Sequence, residues 1–120
     1  MSIPATLPKT MRAWAIDAHG GPEQMRLQEL RVPMPKPRDV LIRMHFAEVG
    51  DWDILVREGA WPMQRPFPLI LGLAGAGTVA AIGSDVEDFA GSDVVYTHSC
   101  PLSGTSSATS LVGIHDSWIP

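Results

Sequence analysis

One cysteine, Cys100, is all the thiol in this chain of 120 residues. A single sulfur excludes an internal disulfide framework and any four-cysteine zinc site within one chain. Nothing in the sequence marks that thiol as a nucleophile, so an inert side chain is the expectation, and the simplest compartment is cytoplasmic. Long apolar runs are also lacking. No stretch approaches the roughly 20 residues of a membrane span, and Met1 to Thr10 holds two prolines without the apolar core of a signal peptide. Basic runs are absent and the net charge is −4. Neither nucleic acid nor a membrane surface is therefore an expected partner. No internal repeat is present.

What remains is the composition of a globular domain with a modest core: 45% hydrophobic and 18% charged residues. Eleven prolines and eleven glycines interrupt the chain too often for long helices. Short strands are predicted at Met11–Asp17, Met25–Val32 and Asp93–Thr97, with a turn at His19-Gly20-Gly21-Pro22. Asp39–Ala47 has the clearest alternation. Val40, Ile42, Met44 and Phe46 share one face, and Leu41, Arg43 and His45 the other, which makes His45 an outer-face residue. Gly50–Gly59 predicts a short helix, capped by Asp51 and stopped by Gly59. The proline-broken run Trp61–Pro68 reads as a loop.

The run PLILGLAGAGTVAAIGSDV, Pro68 to Val86, admits two readings. Gly75-Ala76-Gly77-Thr78-Val79-Ala80 matches G-x-G-x-x-A, the phosphate-binding turn of dinucleotide folds. That turn works only when a helix follows, with its N-terminus facing the pyrophosphate. Here Gly83-Ser84-Asp85 interrupts three residues later, and Thr78, Val79 and Ile82 are β-branched. The segment reads instead as a glycine-rich strand that lets another backbone come close. Together these elements predict a mainly β fold, a partly open barrel with one short helix. The expected layout is a flexible residue 1–10 segment, a folded domain over 11–97, and a disordered or irregular tail over 98–120, where PLSGTSSATS is small and polar.

The order of these pieces resembles the N-terminal, GroES-like catalytic domain of medium-chain dehydrogenases/reductases. The segments that carry the resemblance are MRAWAIDAHGGPEQMRLQEL, PKPRDVLIRMHFAEVGDWDILVREG, PFPLILGLAGAGTVAAIGSDVEDF and DVVY, which cover Met11 to about Tyr96. In that family the glycine block is a barrel strand, and the nucleotide-binding turn lies in a later domain. Zinc members place a cysteine where this chain has Gly50 and a His-Glu pair where it has Leu73-Ala74. Glycine and leucine cannot ligate metal. The chain thus looks more like the zinc-independent quinone oxidoreductase branch, in which an asparagine often sits near Gly50 and an aspartate at Asp53. Only the aspartate is kept, and Ala74 replaces an acidic residue common to both branches.

The resemblance implies hydride transfer from NADPH to a quinone or an activated carbon–carbon double bond, with the cofactor supplying the hard chemistry. Nothing after Tyr96 resembles the family's continuation. The expectation is an N-terminal catalytic-domain fragment, inactive alone, that binds neither NADPH nor zinc by itself. The alternative is a non-catalytic interaction or self-association module acting through exposed strand edges. The site implied by the resemblance lies at the start of the short helix. Asp53 and Asp51 are its candidate catalytic carboxylates, Trp52 a substrate-binding wall, and Arg57 a contact for a cofactor phosphate. Each also has a plain structural role: Asp53 beside the helix dipole, Trp52 in packing, Arg57 on the surface. Asp51 and Asp53, two apart on a helix, do not face each other as an acid/base pair.

Overall fold

The computed structural model describes residues 7–61, 66–72 and 74–98, together with the backbone of 111–115. The dominant layer is a four-stranded sheet. It is built from β3 (Val40–Ala47), β5 (Ala74–Ile82), β6 (Val94–His98) and β7 (Leu111–His115), in the order β6-β5-β3-β7. A smaller sheet places β1 (Thr10–Ile16) between β2 (Arg26–Arg31) and the two-residue β4 (Leu69–Ile70). All pairings are antiparallel except β3 with β7. The sheets are not closed into a barrel, as the sequence predicts, and among the described residues the one α-helix is α1 (Asp51–Glu58).

The glycine-rich run is a strand. β5 is paired on one side by β3 and on the other by β6, and alternate residues from Gly77 onward, Gly77, Val79 and Ala81, are buried. Its glycines admit the neighbouring backbone. A β-carbon on Gly77 would overlap the Arg43 carbonyl oxygen, and one on Gly75 would meet the Phe46 carbonyl oxygen and the Met44 side chain. Chain continues past Ile82 into the turn expected at Gly83-Ser84-Asp85. Gly83 there packs against the backbone of Lys36 and Pro37 and donates to the Asp39 carbonyl. Asp39 is the buried charged residue of the described region, and its Oδ2 accepts from the Lys36 amide at 3.0 Å.

Two bulges organise the β3–β5 ladder. Leu41 pairs with Ala81 and Ile42 with Val79, so Ala80 is the extra residue on β5; Met44 pairs with Gly77 and Phe46 with Ala76, so His45 is the extra residue on β3. The alternation predicted for β3 holds from Val40 to Met44. Val40, Ile42 and Met44 enter one core cluster with Val79. Leu41 is fully buried too, because Met11 of β1 covers its face together with Ala81. Phe46 departs from the prediction: the bulge at His45 turns it to the face opposite Met44, where it is 65% exposed. A third cluster, Ile16, Val56 and Leu69, attaches α1 to the smaller sheet.

The tail also differs from expectation. Leu111–His115 is not irregular; it adds to β3 as the parallel strand β7. Five residues too few to fold alone can extend a sheet that already exists, because the partner strand supplies the hydrogen bonds. Residue 98 belongs to β6 and not to the tail. The polar stretch Pro101–Ser110 and residues 1–6 lie outside the described residues.

Candidate functional site

The sheet delivers the site. β3 ends at Ala47, and the Glu48 amide is held by the Ala74 carbonyl at 2.9 Å, so the chain leaves the sheet beside the start of β5 and enters α1 three residues later. The sequence reading made Asp51 the N-cap; the structure gives that position to Gly50, in extended backbone. The capping carboxylate is Asp53, whose Oδ2 accepts from the Gly50 amide at 2.9 Å. Asp51 and Asp53 both lie in the first turn, where negative charge is favourable, and only the latter can reach back to the orphan amide. Asp51 points to solvent. Gly59 ends the helix as expected, in the left-handed conformation at φ 78°.

Asp53 has one oxygen committed and one idle. Its Oδ1 is buried and has no hydrogen-bond partner. Thr97 Oγ1 is likewise buried and unpartnered. The register links the two regions: Gly75 pairs with Ala47 on one side and with Thr97 on the other. Thr97 therefore sits in the sheet row from which the chain departs toward α1. Buried polar atoms left unpaired are uncommon and call for an explanation.

Trp52 is 45% exposed and stands edge-to-face on Trp61, with ring centroids 4.8 Å apart and planes at 85°. This pair gives the helix N-terminus an aromatic wall. The sequence reading missed Trp61 because it assigned the residue to a featureless loop; an aromatic just beyond a helix stop was the available signal. Arg57 lies elsewhere. At the other end of α1 its Nε donates to the Gly20 carbonyl at 3.1 Å, while its own carbonyl accepts from the Gly20 amide at 3.0 Å. Nη2 sits 3.6 Å from Glu58, and the side chain is only 12% exposed. His19 Nδ1 lies 3.3 Å from the same Arg57 carbonyl, and its ring meets Phe67 edge-on at 5.2 Å. The structure thus brings Asp53 and Trp52 together at one end of the helix and uses Arg57 to tie the other end to the β1–β2 loop.

Among the described residues no three His, Cys, Asp or Glu side chains are grouped to hold a metal; Gly50 has no side chain, and Leu73, outside the described residues, is apolar. The Gly75–Ala80 run is locked in a ladder on both edges and feeds a turn, not a helix, so it forms no pyrophosphate cradle. No helix of the described residues is long and apolar enough to cross a membrane.

Residues 36–115, two thirds of the chain, match the model of the alcohol dehydrogenase GroES-like domain. The chain belongs to this family. Among GroES-like relatives, the quinone oxidoreductase of Sus scrofa is 41% identical over 101 residues, which is 83% of this chain and 30% of that protein. The alcohol dehydrogenase of Schizosaccharomyces pombe is 35% identical over 81 residues, 68% of this chain and 23% of that protein. A solved structure, the quinone oxidoreductase of Pseudomonas syringae pv. tomato DC3000, superposes with a TM-score of 0.69 at 29% identity, over 72% of this chain and 26% of that one. This GroES-like chain therefore spans about a quarter to a third of the length of its relatives. The family match runs to residue 115, past Tyr96, where the motif resemblance stops, and takes in β7.

Proposed function

We propose that this chain is the N-terminal catalytic-domain portion of a zinc-independent, NADPH-dependent quinone or enone oxidoreductase of the cytoplasm, and that it does not turn over by itself. One observation carries the second half of this reading. The G-x-G-x-x-A run is a central strand, so this motif offers no turn and helix N-terminus to a pyrophosphate. Hydride transfer needs the nicotinamide fixed against its acceptor in near-attack geometry. The first half rests on the quinone oxidoreductase relatives and on the absence of ligating side chains at Gly50 and Leu73.

In the parent enzyme, Trp52 and Trp61 form an apolar wall for a flat quinone or enone. Asp53 presents its idle Oδ1 as an acceptor, and Asp51 adds negative charge at the rim. Arg57, drawn by its hydrogen bonds toward the β1–β2 loop, supports the helix and turns to a cofactor phosphate only if that loop releases it. The decisive assay is spectrophotometric: NADPH oxidation by the purified chain with a small quinone and an enone as acceptors. No protein-dependent turnover is expected, and no zinc by elemental analysis. Turnover that saturates in NADPH and disappears in Asp53→Ala would overturn the reading. The parentage has its own test in the coding DNA beyond the Tyr96 codon, where a nucleotide-binding domain is expected in one of the reading frames.

A further inference from the structure

β6 ends the four-stranded sheet, and among the described residues no strand lies beyond it. Its residues alternate exposed and half-buried. Val95 packs inward on the cluster of Val40, Ile42, Met44 and Val79. Val94 and Tyr96 point the other way and are 84% and 88% exposed. A residue flanked by a second strand loses much more surface than this, so among the described residues the outer edge is open.

Natural edges are protected by a charge, a proline, a bulge or a very short strand. β6 has none of the first three. Val94-Val95-Tyr96-Thr97-His98 carries no carboxylate, lysine or proline, and its register with β5 runs unbroken from Thr78–Val94 to Ala74–His98. An open row of amides and carbonyls fits one kind of partner, another extended strand.

We propose that this partner is β6 of a second copy, paired antiparallel about a twofold axis at Val95. Three features favour this occupant. Antiparallel partners share a face of the sheet, and with Val95 opposite its own copy each Val94 faces a partner Tyr96. Two aliphatic–aromatic cross-strand pairs then cover the two exposed apolar residues, Val94 and Tyr96. The strand is uncharged, so self-pairing opposes no like charges; in this register the flanking Asp93 faces Thr97 of the second copy, and not another carboxylate. The two Val95 side chains meet on the inner face and join the apolar layers of two four-stranded sheets into one of eight strands. The alternative register, with Tyr96 opposite Tyr96, sets Val94 against His98 and forms neither pair. A five-residue edge is small beside the about 1,200 Å² or more of a stable interface, so the association is a concentration-dependent equilibrium.

Analytical ultracentrifugation of the 120-residue chain over a wide concentration range tests this. A shift from monomer to dimer is expected, together with amide-exchange protection of Val94–Thr97 that rises with concentration. Tyr96→Lys places a charge on an already exposed position, so it keeps the monomer fold, by circular dichroism, and remains monomeric throughout. Trp14→Lys, on the exposed face of the other sheet, leaves the dimer intact. A chain that stays monomeric at every concentration overturns the proposal. So does a dimer that persists in folded Tyr96→Lys, or that is lost equally in Trp14→Lys.

Discussion

β5 and α1 are opposites in how they are held. β5 is fixed by other backbone: two ladders, two glycines that admit carbonyl oxygens, and alternate buried residues. α1 buries one side chain, Val56, and leaves Trp52, Ile54 and Leu55 at the surface. It is positioned mainly by point contacts, with Asp53 at its start and Arg57 and Gly59 at its end. The contrast separates two jobs. The sheet is the rigid frame, and the helix carrying the candidate site is set by a few hydrogen bonds that can be lost one at a time.

The strongest way to break this contrast is Gly77→Val. Its side chain would collide with the backbone of Arg43 and Met44, which no rotamer relieves. A loss of about 4 kcal/mol or more, enough to abolish a cooperative thermal transition, is expected. A variant of wild-type melting temperature would mean that β5 is not held as described. Next comes Arg57→Ala, which removes the Nε–Gly20 bond and the packing of the stem. About 1.5 kcal/mol should be lost, with amide exchange rising at Gly20 and in the last turn of α1 while β5 stays protected. Equal loss of protection in both elements would show that helix and sheet are one unit. The smallest change is Asp53→Ala, which frees the Gly50 amide and costs about 1 kcal/mol as a lost helix cap. Because the same change also removes the idle buried Oδ1, the measured cost should fall below that of Arg57→Ala in denaturant melts.

The sequence made the sheet legible and left the helix half-read, for physical reasons that differ. Strand positions follow from local alternation and turn residues, and the β-branched run Thr78 to Ile82 told against a phosphate loop without any knowledge of its neighbours. The interruption at Gly83 pointed the same way. Phe46 was misplaced because a bulge is a property of two strands together; nothing in DVLIRMHFA marks His45 as the extra residue. The cap was misread because Asp51 and Asp53 are equally suitable by type, and only the place where the extended backbone ends, at Gly50, decides between them. Arg57 holds Gly20 across 37 residues, and Trp52 meets Trp61 beyond the helix stop; such contacts leave no periodic trace. β7 was overlooked because its five residues were weighed as a separate unit, not as an addition to β3.

The paired bulges bear on how this ladder tolerates insertion and deletion. From Val40–Ile82 and Leu41–Ala81 the pairing slips by one residue at Ala80, runs through Ile42–Val79, Arg43–Thr78 and Met44–Gly77, and slips back at His45. The two slips are equal and opposite, so the strands leave the ladder in the phase in which they entered it. Losing His45 alone would put Phe46, Ala47 and everything after them one step out of phase with β5. Losing Ala80 alone would do the same to the other end. Losing both restores the phase at both ends. Length changes in these two strands are therefore coupled across the sheet. A lineage that shortens one must shorten the other, although 34 intervening positions separate them along the gene.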